Sequence, residues 1–231
     1  TVGSYAVAKE HSKGKDTPTG HHEIVGYTNS IGWYTFPKVV PVFPKKEMDM
    51  LIKEAKVTGV LGNKHASGED IIKEFGEAHL DNGCPIVYTS ADSVVQIAAH
   101  ERVFGLDRLY ETCKIATEIF KNLRVQRIIA RPFLGCNKDD FFRTKNRKDF
   151  ILPPPIQTLC DKVIKSGKKC FGIGKIADIF GHRGISKSIS GMSDDKLFDE
   201  MRNVIEKANA GDLIFANFVE FDTMYGHRRV L

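Results

Sequence analysis

Hydrophobic residues recur along this chain with spacings that predict alternating helices and strands. Residues 106–121 carry apolar side chains at a helical period, and residues 193–208 do so behind Ser193 and two aspartates, which suit a helix N-terminus. Shorter helices are predicted at 48–56, 69–80 and 158–166. Short apolar runs predict strands at 85–89, 125–130, 170–173 and 213–219. This order of elements predicts an α/β fold.

Segments rich in polar residues and prolines separate these elements. Residues 62–68 are predicted as a loop that provides Ser67 as the N-cap of the next helix. Prolines interrupt residues 31–46, and three consecutive prolines close a polar, basic loop over 135–155. We place domain boundaries in these two proline-containing stretches. The predicted parts are one discontinuous α/β domain, residues 1–32 and 154–231, and an α/β domain inserted into it, residues 33–153.

The composition is that of a globular protein from a reducing compartment. The 231 residues are 42% hydrophobic and 27% charged, and no apolar run is long enough to span a membrane. The five cysteines are scattered and form no C-x-x-C pair, which argues against a disulfide framework. No signal peptide is visible. We therefore expect a cytoplasmic protein without a membrane partner.

The net charge of +5 suits an anionic small molecule as well as nucleic acid. The chain contains no recognisable homeodomain, zinc-finger or RNP-type motif, and its aromatic residues are not interleaved with lysine and arginine. We therefore expect a phosphorylated small-molecule substrate and no nucleic-acid partner.

Residues 12–23 combine a basic, glycine-containing loop with the start of a helix. Thr17 suits the N-cap position and Pro18 the first helical position. A hydroxyl there faces unpaired N–H groups and the positive end of the helix dipole, so a phosphoryl group on Thr17 would be well placed. Thr17 is thus a candidate nucleophile that a base or a metal would activate. A capped surface turn is the commoner role of such a segment.

Candidate substrate-binding residues follow two predicted strands. Ser90 and Asp92 lie beyond one strand and Arg131 ends the next, where α/β proteins often bind ligands. A carboxylate accepts hydrogen bonds from sugar hydroxyls, and an arginine binds phosphate with two donors. Arg147 is expected to reach the same phosphate from the basic loop, with Arg143 as a secondary candidate. The usual place of an arginine is nevertheless a solvated surface.

Asp222 and His227 are candidate metal ligands just past the last predicted strand. A carboxylate oxygen and an imidazole nitrogen suit Mn²⁺ or Zn²⁺ better than Mg²⁺. The Asp-x4-His spacing by itself is more often structural. Tyr225 lies between the two residues and is a candidate for packing on a sugar ring.

Five motifs of the chain resemble those of phosphopentomutases (phosphodeoxyribomutases), members of the alkaline phosphatase superfamily, and they occur in the same order. The motifs are KGKDTPTGHHE at 13–23, PIVYTSADSV at 85–94, IARPF at 129–133, GKIADIF at 174–180 and FDTMYGHRR at 221–229. The resemblance runs along essentially the whole chain, and five collinear motifs are far more specific than any one of them.

The resemblance implies a fold and an activity. The expected fold is an alkaline-phosphatase-like core, made by the discontinuous domain, with the inserted domain as a cap and the active site in the cleft between them. The expected enzyme is an isomerase of nucleoside catabolism, an intramolecular phosphotransferase. It would interconvert ribose or deoxyribose 1-phosphate and 5-phosphate through a phosphothreonine enzyme and a 1,5-bisphosphate intermediate.

The resemblance also implies roles for individual residues. Thr17 matches the family threonine that carries the phosphoryl group and ligates a metal, and Asp222 and His227 match metal ligands. Two Mn²⁺ ions are implied as cofactors, with ribose or glucose bisphosphate as the activator. The expected pentose phosphate ligands are Ser90, Asp92, Arg131, Arg147 and Tyr225.

Some family segments have no counterpart in this sequence. The family has an aspartate on its N-terminal strand, then an Asp-His pair and another histidine near its C-terminus, and His21, His22 and His182 are not expected to replace them. The chain thus looks like an internal segment that is expected to be inactive by itself. The alternatives are another metal-dependent phosphomutase or phosphatase of the superfamily, such as cofactor-independent phosphoglycerate mutase, and a non-catalytic truncated fragment that binds sugar phosphate.

Overall fold

The chain divides into two compact units, one formed by residues 1–32 and 153–231 and the other by residues 33–152. The structure is a computed structural model that describes residues 3, 6–14, 16–90, 94–191 and 193–226. Both units combine helices with strands that pair in parallel, so the predicted α/β class is confirmed.

The elements of the described residues are as follows in chain order. The α-helices are α1 (Thr17–Ile24), α2 (Lys45–Glu54), α3 (Gly68–Asn82), α4 (Leu106–Phe120), α5 (Leu159–Lys165), α6 (Ile176–Ile179) and α7 (Asp194–Lys207). The strands are β1 (Leu61–His65), β2 (Ile86–Thr89), β3 (Val94–His100), β4 (Arg127–Leu134), β5 (Phe142–Arg143), β6 (Lys148–Ile151), β7 (Cys170–Ile173), β8 (Lys187–Ile189) and β9 (Leu213–Ala216). None of the helices in this part of the chain is both long and apolar enough to cross a membrane.

The unit of residues 33–152 is built on a mixed sheet of six strands. Their order is β1–β2–β3–β4, and β5 and β6 both pair with the other side of β4. β1 is parallel to β2 and β3 is parallel to β4, whereas β2 and β3 are antiparallel. Because successive residues of a strand point to opposite faces, this register decides which side chains share a face.

Helices cover both faces of this sheet. On one face α2 and α4 bury their apolar sides with Phe36, Phe43 and Phe120, whose rings meet edge to face. On the opposite face α3 buries Ile71 against Ile86 of β2 and its neighbours. The sheet is therefore the middle of three layers. A polar side chain on the α3 face is enclosed where α3 covers the sheet and is accessible where the sheet extends past the helix.

The unit formed by residues 1–32 and 153–231 contains an all-parallel sheet in the order β8–β7–β9. Cys170 at the start of β7 packs with Cys160 of α5 and with Phe180 after α6. Ile173 lies three residues further along β7 and so faces the other side, where Leu197 of α7 packs on it. Each unit thus has its own apolar core.

Several elements agree closely with the sequence analysis. The strand predicted at 170–173 is β7, and the helix predicted at 106–121 is α4. Ser67 caps α3, because its Oγ accepts a hydrogen bond from the Asp70 backbone N–H at 3.2 Å. These elements are encoded by local periodicity and capping, which is why the sequence alone predicts them.

Other elements differ from the predictions because non-local strand pairing decides them. β1 overlaps the predicted loop 62–68, since its backbone pairs with β2 although Gly62 and Asn63 have positive φ angles. β5 and β6 lie within the predicted basic loop, since both pair with β4. β3 was not predicted at all; each of its seven residues is buried.

Two boundary errors affect candidate site residues. Pairing with β3 extends β4 past its predicted end at residue 130, so Arg131 lies inside the strand and opposite Ala98. The last predicted strand, 213–219, ends at Ala216, and Asp222 follows it in a π-helical turn over Phe221–Gly226.

Candidate functional site

The helix that carries Thr17 begins one residue earlier than predicted. Asp16 is the N-cap in place of Thr17, because its Oδ1 accepts from the Thr19 backbone N–H at 2.9 Å and its Oδ2 from the Thr19 hydroxyl at 2.7 Å. A carboxylate at this position satisfies a donor of the first turn and places negative charge at the positive end of the helix dipole. Thr17 therefore occupies the first helical position and Pro18 the second.

The two threonines of α1 differ in accessibility. Thr19 is 1% exposed, and its hydroxyl donates to Asp16. Gly14 packs so closely on it that an added Cβ would lie 2.4 Å from Thr19 Oγ1. Thr17 is exposed to solvent. Of the two hydroxyls, that of Thr17 is the one that a phosphoryl donor from solution can reach.

Glu23 holds the loop that precedes Thr17. Its two carboxylate oxygens accept from the backbone N–H groups of His11 and Ser12, each at 2.8 Å. A hydrogen bond from the Ser12 hydroxyl, together with these N–H groups, lowers the pKa of Glu23. Ser12 Oγ also accepts from the Asn29 backbone N–H at 2.9 Å. The last turn of α1 is thus tied to the segment that leads into its first turn.

Three histidines of this unit contact a backbone carbonyl or a neighbouring side chain. His21 Nδ1 donates to the Thr17 carbonyl at 2.8 Å. His22 is 1% exposed, its Nε2 donates to the Ile179 carbonyl at 3.1 Å, and burial lowers its pKa. His182 lies 3.4 Å from Asp178. Each of these three histidines thus has a contact within its own unit.

Asp222 and Tyr225 lie in the π-helical turn after β9 and are exposed. His227, the other predicted metal ligand, lies outside the described residues. Within the part of the chain that the structure describes, no three His, Cys, Asp or Glu side chains are grouped so that they could hold a metal ion. The donor types suit Mn²⁺, but the described residues do not by themselves complete a site.

The candidates Arg131 and Arg143 belong to the other unit and share one face of its sheet with Tyr88 and Gln96. Tyr88 is opposite Gln96, and Arg131 is two residues beyond Ile129, which is also opposite Gln96. Arg143 on β5 is opposite Phe133 of β4. Alternation along β4 places Arg131 and Phe133 on one side, so all of these residues project from the face that α3 covers.

A continuous hydrogen-bonded network joins Ser90 to Arg131. Gln96 Oε1 accepts from Arg131 Nε at 2.8 Å and from Tyr88 Oη at 3.2 Å, and Gln96 Nε2 donates to Ser90 Oγ at 3.1 Å. Tyr88 and Gln96 are buried, whereas Ser90 and Arg131 are half-buried. The structure thus brings two predicted residues together through Gln96, which was not predicted and which also binds Tyr88. Asp92 lies outside the described residues.

Two further arginines surround Tyr88. Arg147 makes a two-pronged ion pair with Asp149, at 2.7 and 2.8 Å, and Arg143 pairs with Glu69 at 2.7 Å. Burial lowers the pKa of Arg131, and the positive charge of Arg147 lowers it further. Burial also raises the pKa of Tyr88, against the attraction of the three guanidinium groups. Positive charge is concentrated here, which suits an anionic ligand.

A cavity of about 550 Å³ opens beside Ser90. It is lined by the β1 end of the sheet and the preceding loop, and the residues around it are Lys38, Val39, Val40, Lys64, His65, Ala66, Ser67 and Ser90. Much of this lining is aliphatic, and Lys64 is engaged by Glu74 at 2.6 Å. The volume is within the range of small-molecule pockets.

One signal in the sequence could have identified Gln96, and with it the need for hydrogen-bond partners such as Tyr88. Gln96 interrupts an otherwise apolar run, VVQIAAH, and a polar residue in a buried strand must find hydrogen-bond partners. The run was not identified as a strand, so its only amide side chain was not considered as part of a site.

Several curated proteins are similar to the chain along nearly its whole length. No family model matches the chain. A relative from Chelativorans sp. (strain BNC1) is 48% identical over 229 residues, which are 99% of this chain and 56% of the relative. A relative from Chromohalobacter salexigens is 50% identical over 98% of the chain and 54% of the relative, and one from Legionella pneumophila (strain Corby) is 49% identical over 98% and 56%.

These relatives are enzymes of the isomerase class that move a phosphoryl group within a sugar phosphate. All three are named phosphopentomutase, and the chain is homologous to phosphopentomutases over 98–99% of its own length. The resemblance to phosphopentomutases that the five motifs indicated is therefore confirmed. The chain spans about half the length of the relatives that it matches.

Proposed function

We propose that this chain supplies the nucleophile and the sugar-phosphate contacts of a phosphopentomutase, which interconverts ribose or deoxyribose 1-phosphate and 5-phosphate. One observation carries the proposal besides the homology: Thr17 is exposed at the first position of α1, while Thr19 is buried and donates to Asp16. The unit of residues 1–32 and 153–231 would be the alkaline-phosphatase-like core, and residues 33–152 its inserted cap.

Thr17 would carry the phosphoryl group during the reaction. A hydroxyl of the pentose monophosphate attacks the phosphorus of phosphorylated Thr17 as the bond from phosphorus to Thr17 Oγ breaks. The products are a 1,5-bisphosphate and a Thr17 hydroxyl, which then accepts the other phosphoryl group. The dipole at the start of α1 would favour the negative charge on phosphorylated Thr17. Glu23 would keep the approach loop in place.

The sugar phosphate would bind to residues of the second unit. Arg131 would contact the phosphate oxygens through two parallel hydrogen bonds. Arg147, whose Nε and Nη2 donate to Asp149, would contact them through Nη1. Ser90 and Asp92 would contact the sugar hydroxyls, and Tyr225 of the first unit would pack on the ring. The concentration of positive charge around Tyr88 supports this choice of ligand.

Asp222, His227 and Thr17 would hold metal, with Mn²⁺ as the expected ion. Two oxygen donors and one imidazole nitrogen are ligands that Mn²⁺ accepts. When bound, such ions stabilise charge on the attacking and leaving oxygens of phosphoryl transfer. We also propose a cytoplasmic location, because all five cysteines are unpaired thiols.

The experiment uses a whole protein that carries this sequence. It is incubated with Mn²⁺, a trace of glucose 1,6-bisphosphate and either ribose 1-phosphate or 3-phosphoglycerate, and ³¹P NMR follows the products. We expect ribose 5-phosphate from the pentose and no change in the glycerate. Conversion of 3-phosphoglycerate, or release of inorganic phosphate as the main product, would replace this function with that of another phosphomutase or a phosphatase.

A further inference from the structure

Gln96 is the centre of the polar network on the α3 face of the sheet. It is 4% exposed and stands in β3, where its neighbours are also buried. Its amide makes three hydrogen bonds, two through Oε1 and one through Nε2. They go to Tyr88 of β2, to Ser90 just after β2 and to Arg131 of β4. Burying an amide group that lacks hydrogen-bond partners costs free energy. These three hydrogen bonds therefore fix the orientation of Gln96 and of the three side chains that it contacts.

The chemistry of the partners fixes the orientation of this amide. A guanidinium group can only donate, so the amide oxygen must face Arg131 and the amide nitrogen must face Ser90. Ser90 Oγ then acts as an acceptor towards Gln96, and its hydroxyl hydrogen is directed elsewhere. Arg131 Nε is used by Gln96, which leaves Nη1 and Nη2 as the pair of donors for an anion.

The neutrality of Gln96 preserves the charge of Arg131. Arg143 and Arg147 each pair with a carboxylate, Glu69 and Asp149. Arg131 makes no such ion pair within the described residues, and its hydrogen bond goes to an uncharged oxygen. A glutamate in place of Gln96 would accept the same hydrogen bond but would compete with an anionic ligand for the positive charge of Arg131.

We propose that Gln96 is a positioning residue for the sugar-phosphate site: it turns the Nη edge of Arg131 and the hydroxyl hydrogen of Ser90 towards the ligand without neutralising the arginine. This role rests on the proposed function, in which Arg131 and Ser90 contact the pentose phosphate. Gln96 itself does not touch the substrate and acts through its two neighbours.

The binding experiment compares two substitutions at this position by titration calorimetry with ribose 5-phosphate, in a whole protein that carries this sequence. Gln96→Met removes both hydrogen-bonding ends, and Gln96→Glu keeps the acceptor but adds charge. We expect each to weaken binding by about tenfold or more, the usual effect of losing a hydrogen bond to a charged group. Gln126→Met is the matched control, because Gln126 is equally buried at 4% exposure in the same unit, and it should bind within about twofold of the wild type.

A second measurement follows the Arg131 Nε–H signal in ¹H–¹⁵N NMR spectra and does not depend on ligand binding. Its hydrogen exchange should be slow in the wild type, fast in Gln96→Met and slow again in Gln96→Glu. Restored exchange protection together with weak binding in Gln96→Glu is a pattern that a merely structural role would not produce. Unchanged exchange in Gln96→Met, or wild-type affinity in both variants, would overturn the proposal.

The two measurements separate this proposal from the proposed function. If the wild type binds no ribose 5-phosphate, the assignment of the sugar-phosphate site is contradicted. The Arg131 signal in Gln96→Met then still decides whether Gln96 positions the arginine.

Discussion

At the scale of single residues, small differences in position separate chemically similar side chains. Thr17 and Thr19 are two residues apart in one helix, yet Thr19 is buried against Asp16 and Thr17 is exposed. The sequence pattern predicted that a helix starts here but gave the cap to Thr17, because both Asp and Thr are good N-caps and only the hydrogen bonds distinguish them. Gln96 was missed for a related reason, since its role depends on partners distant in sequence.

Glu23 provides a residue-scale prediction about the approach to Thr17. In Glu23→Gln the charged acceptor of the His11 and Ser12 N–H groups becomes a neutral amide with one acceptor oxygen. Hydrogen exchange of both amides should become at least severalfold faster, as measured by NMR. Glu206→Gln, an exposed change on α7, should leave both rates unchanged. Unaltered exchange in Glu23→Gln would mean that the loop is held by other contacts.

At the scale of elements, local signals and long-range pairing explain what the sequence could predict. β7 and α4 were predicted almost to the residue because their apolar spacing is regular. β1 could not be predicted, because Gly62, Asn63 and Lys64 have the composition of a loop and only pairing with β2 makes them a strand. Arg131 was placed beyond β4 for the same reason, since partners on β3 and β5 decide where β4 ends.

Two serine caps give an element-scale prediction with an internal control. Ser67 bonds the first turn of α3, whereas Ser193 makes no capping bond to α7, whose first N–H donates to Glu220 at 3.0 Å. Ser67→Ala should lower the unfolding free energy by about 1 kcal/mol. Ser193→Ala should change it by less than about 0.5 kcal/mol. Urea unfolding followed by circular dichroism tests both, and equal losses would contradict the assignment of the caps.

The contact between α3 and β3 predicts sensitivity to acid. His79 Nδ1 donates to the Cys84 carbonyl at 2.7 Å and its Nε2 accepts from the His100 backbone N–H at 2.9 Å, so His79 is neutral. Burial lowers the pKa of His79 and of His100, which also faces Arg102 and Glu101. The unfolded state therefore binds more protons, and the unfolding free energy should fall as the pH drops below about 6.5.

Fluorescence of Trp33, the single tryptophan, reports on the unit of residues 33–152, which contains α3 and β3, during urea unfolding at pH 7.5 and 5.5. The titration of His79 should lower the unfolding free energy by at most about 1.4 kcal/mol per pH unit. His79→Gln should be less stable at pH 7.5 but less sensitive to pH, whereas His182→Gln, at a site 70% exposed, should keep the wild-type slope. A slope that is the same in His79→Gln and in the wild type would contradict this account.

At the scale of the whole molecule, the candidate residues are distributed over two units with separate cores. Thr17 and Asp222 belong to the unit of residues 1–32 and 153–231, and Ser90, Arg131 and Arg147 belong to the unit of residues 33–152. The sequence analysis placed its domain boundaries at 32/33 and 153/154, guided by prolines. The chemistry assigned to each unit comes from family motifs and was not available from periodicity.

Metal binding gives a prediction for the 231-residue polypeptide as a whole. Asp222, His227 and Thr17 are three ligands for the two Mn²⁺ ions expected, whereas catalytic metal sites use about three protein ligands each. No group of three potential ligands occurs within the described residues, so the polypeptide by itself should bind Mn²⁺ weakly. Electron paramagnetic resonance of free Mn²⁺ measures this directly, and we expect a dissociation constant of about 100 μM or weaker. Micromolar binding that is lost in Asp222→Asn would show that these residues complete a site.

The most direct test of the account is the position of the covalent phosphate. A protein that carries this sequence is incubated with Mn²⁺ and glucose 1,6-bisphosphate, then digested, and the phosphorylated residue is identified by mass spectrometry. The account predicts phosphate on Thr17, its loss in Thr17→Ala, and its retention in Thr17→Ser. Phosphate on Thr19, together with full mutase activity in Thr17→Ala, would contradict the central claim that the exposed hydroxyl at the start of α1 is the nucleophile.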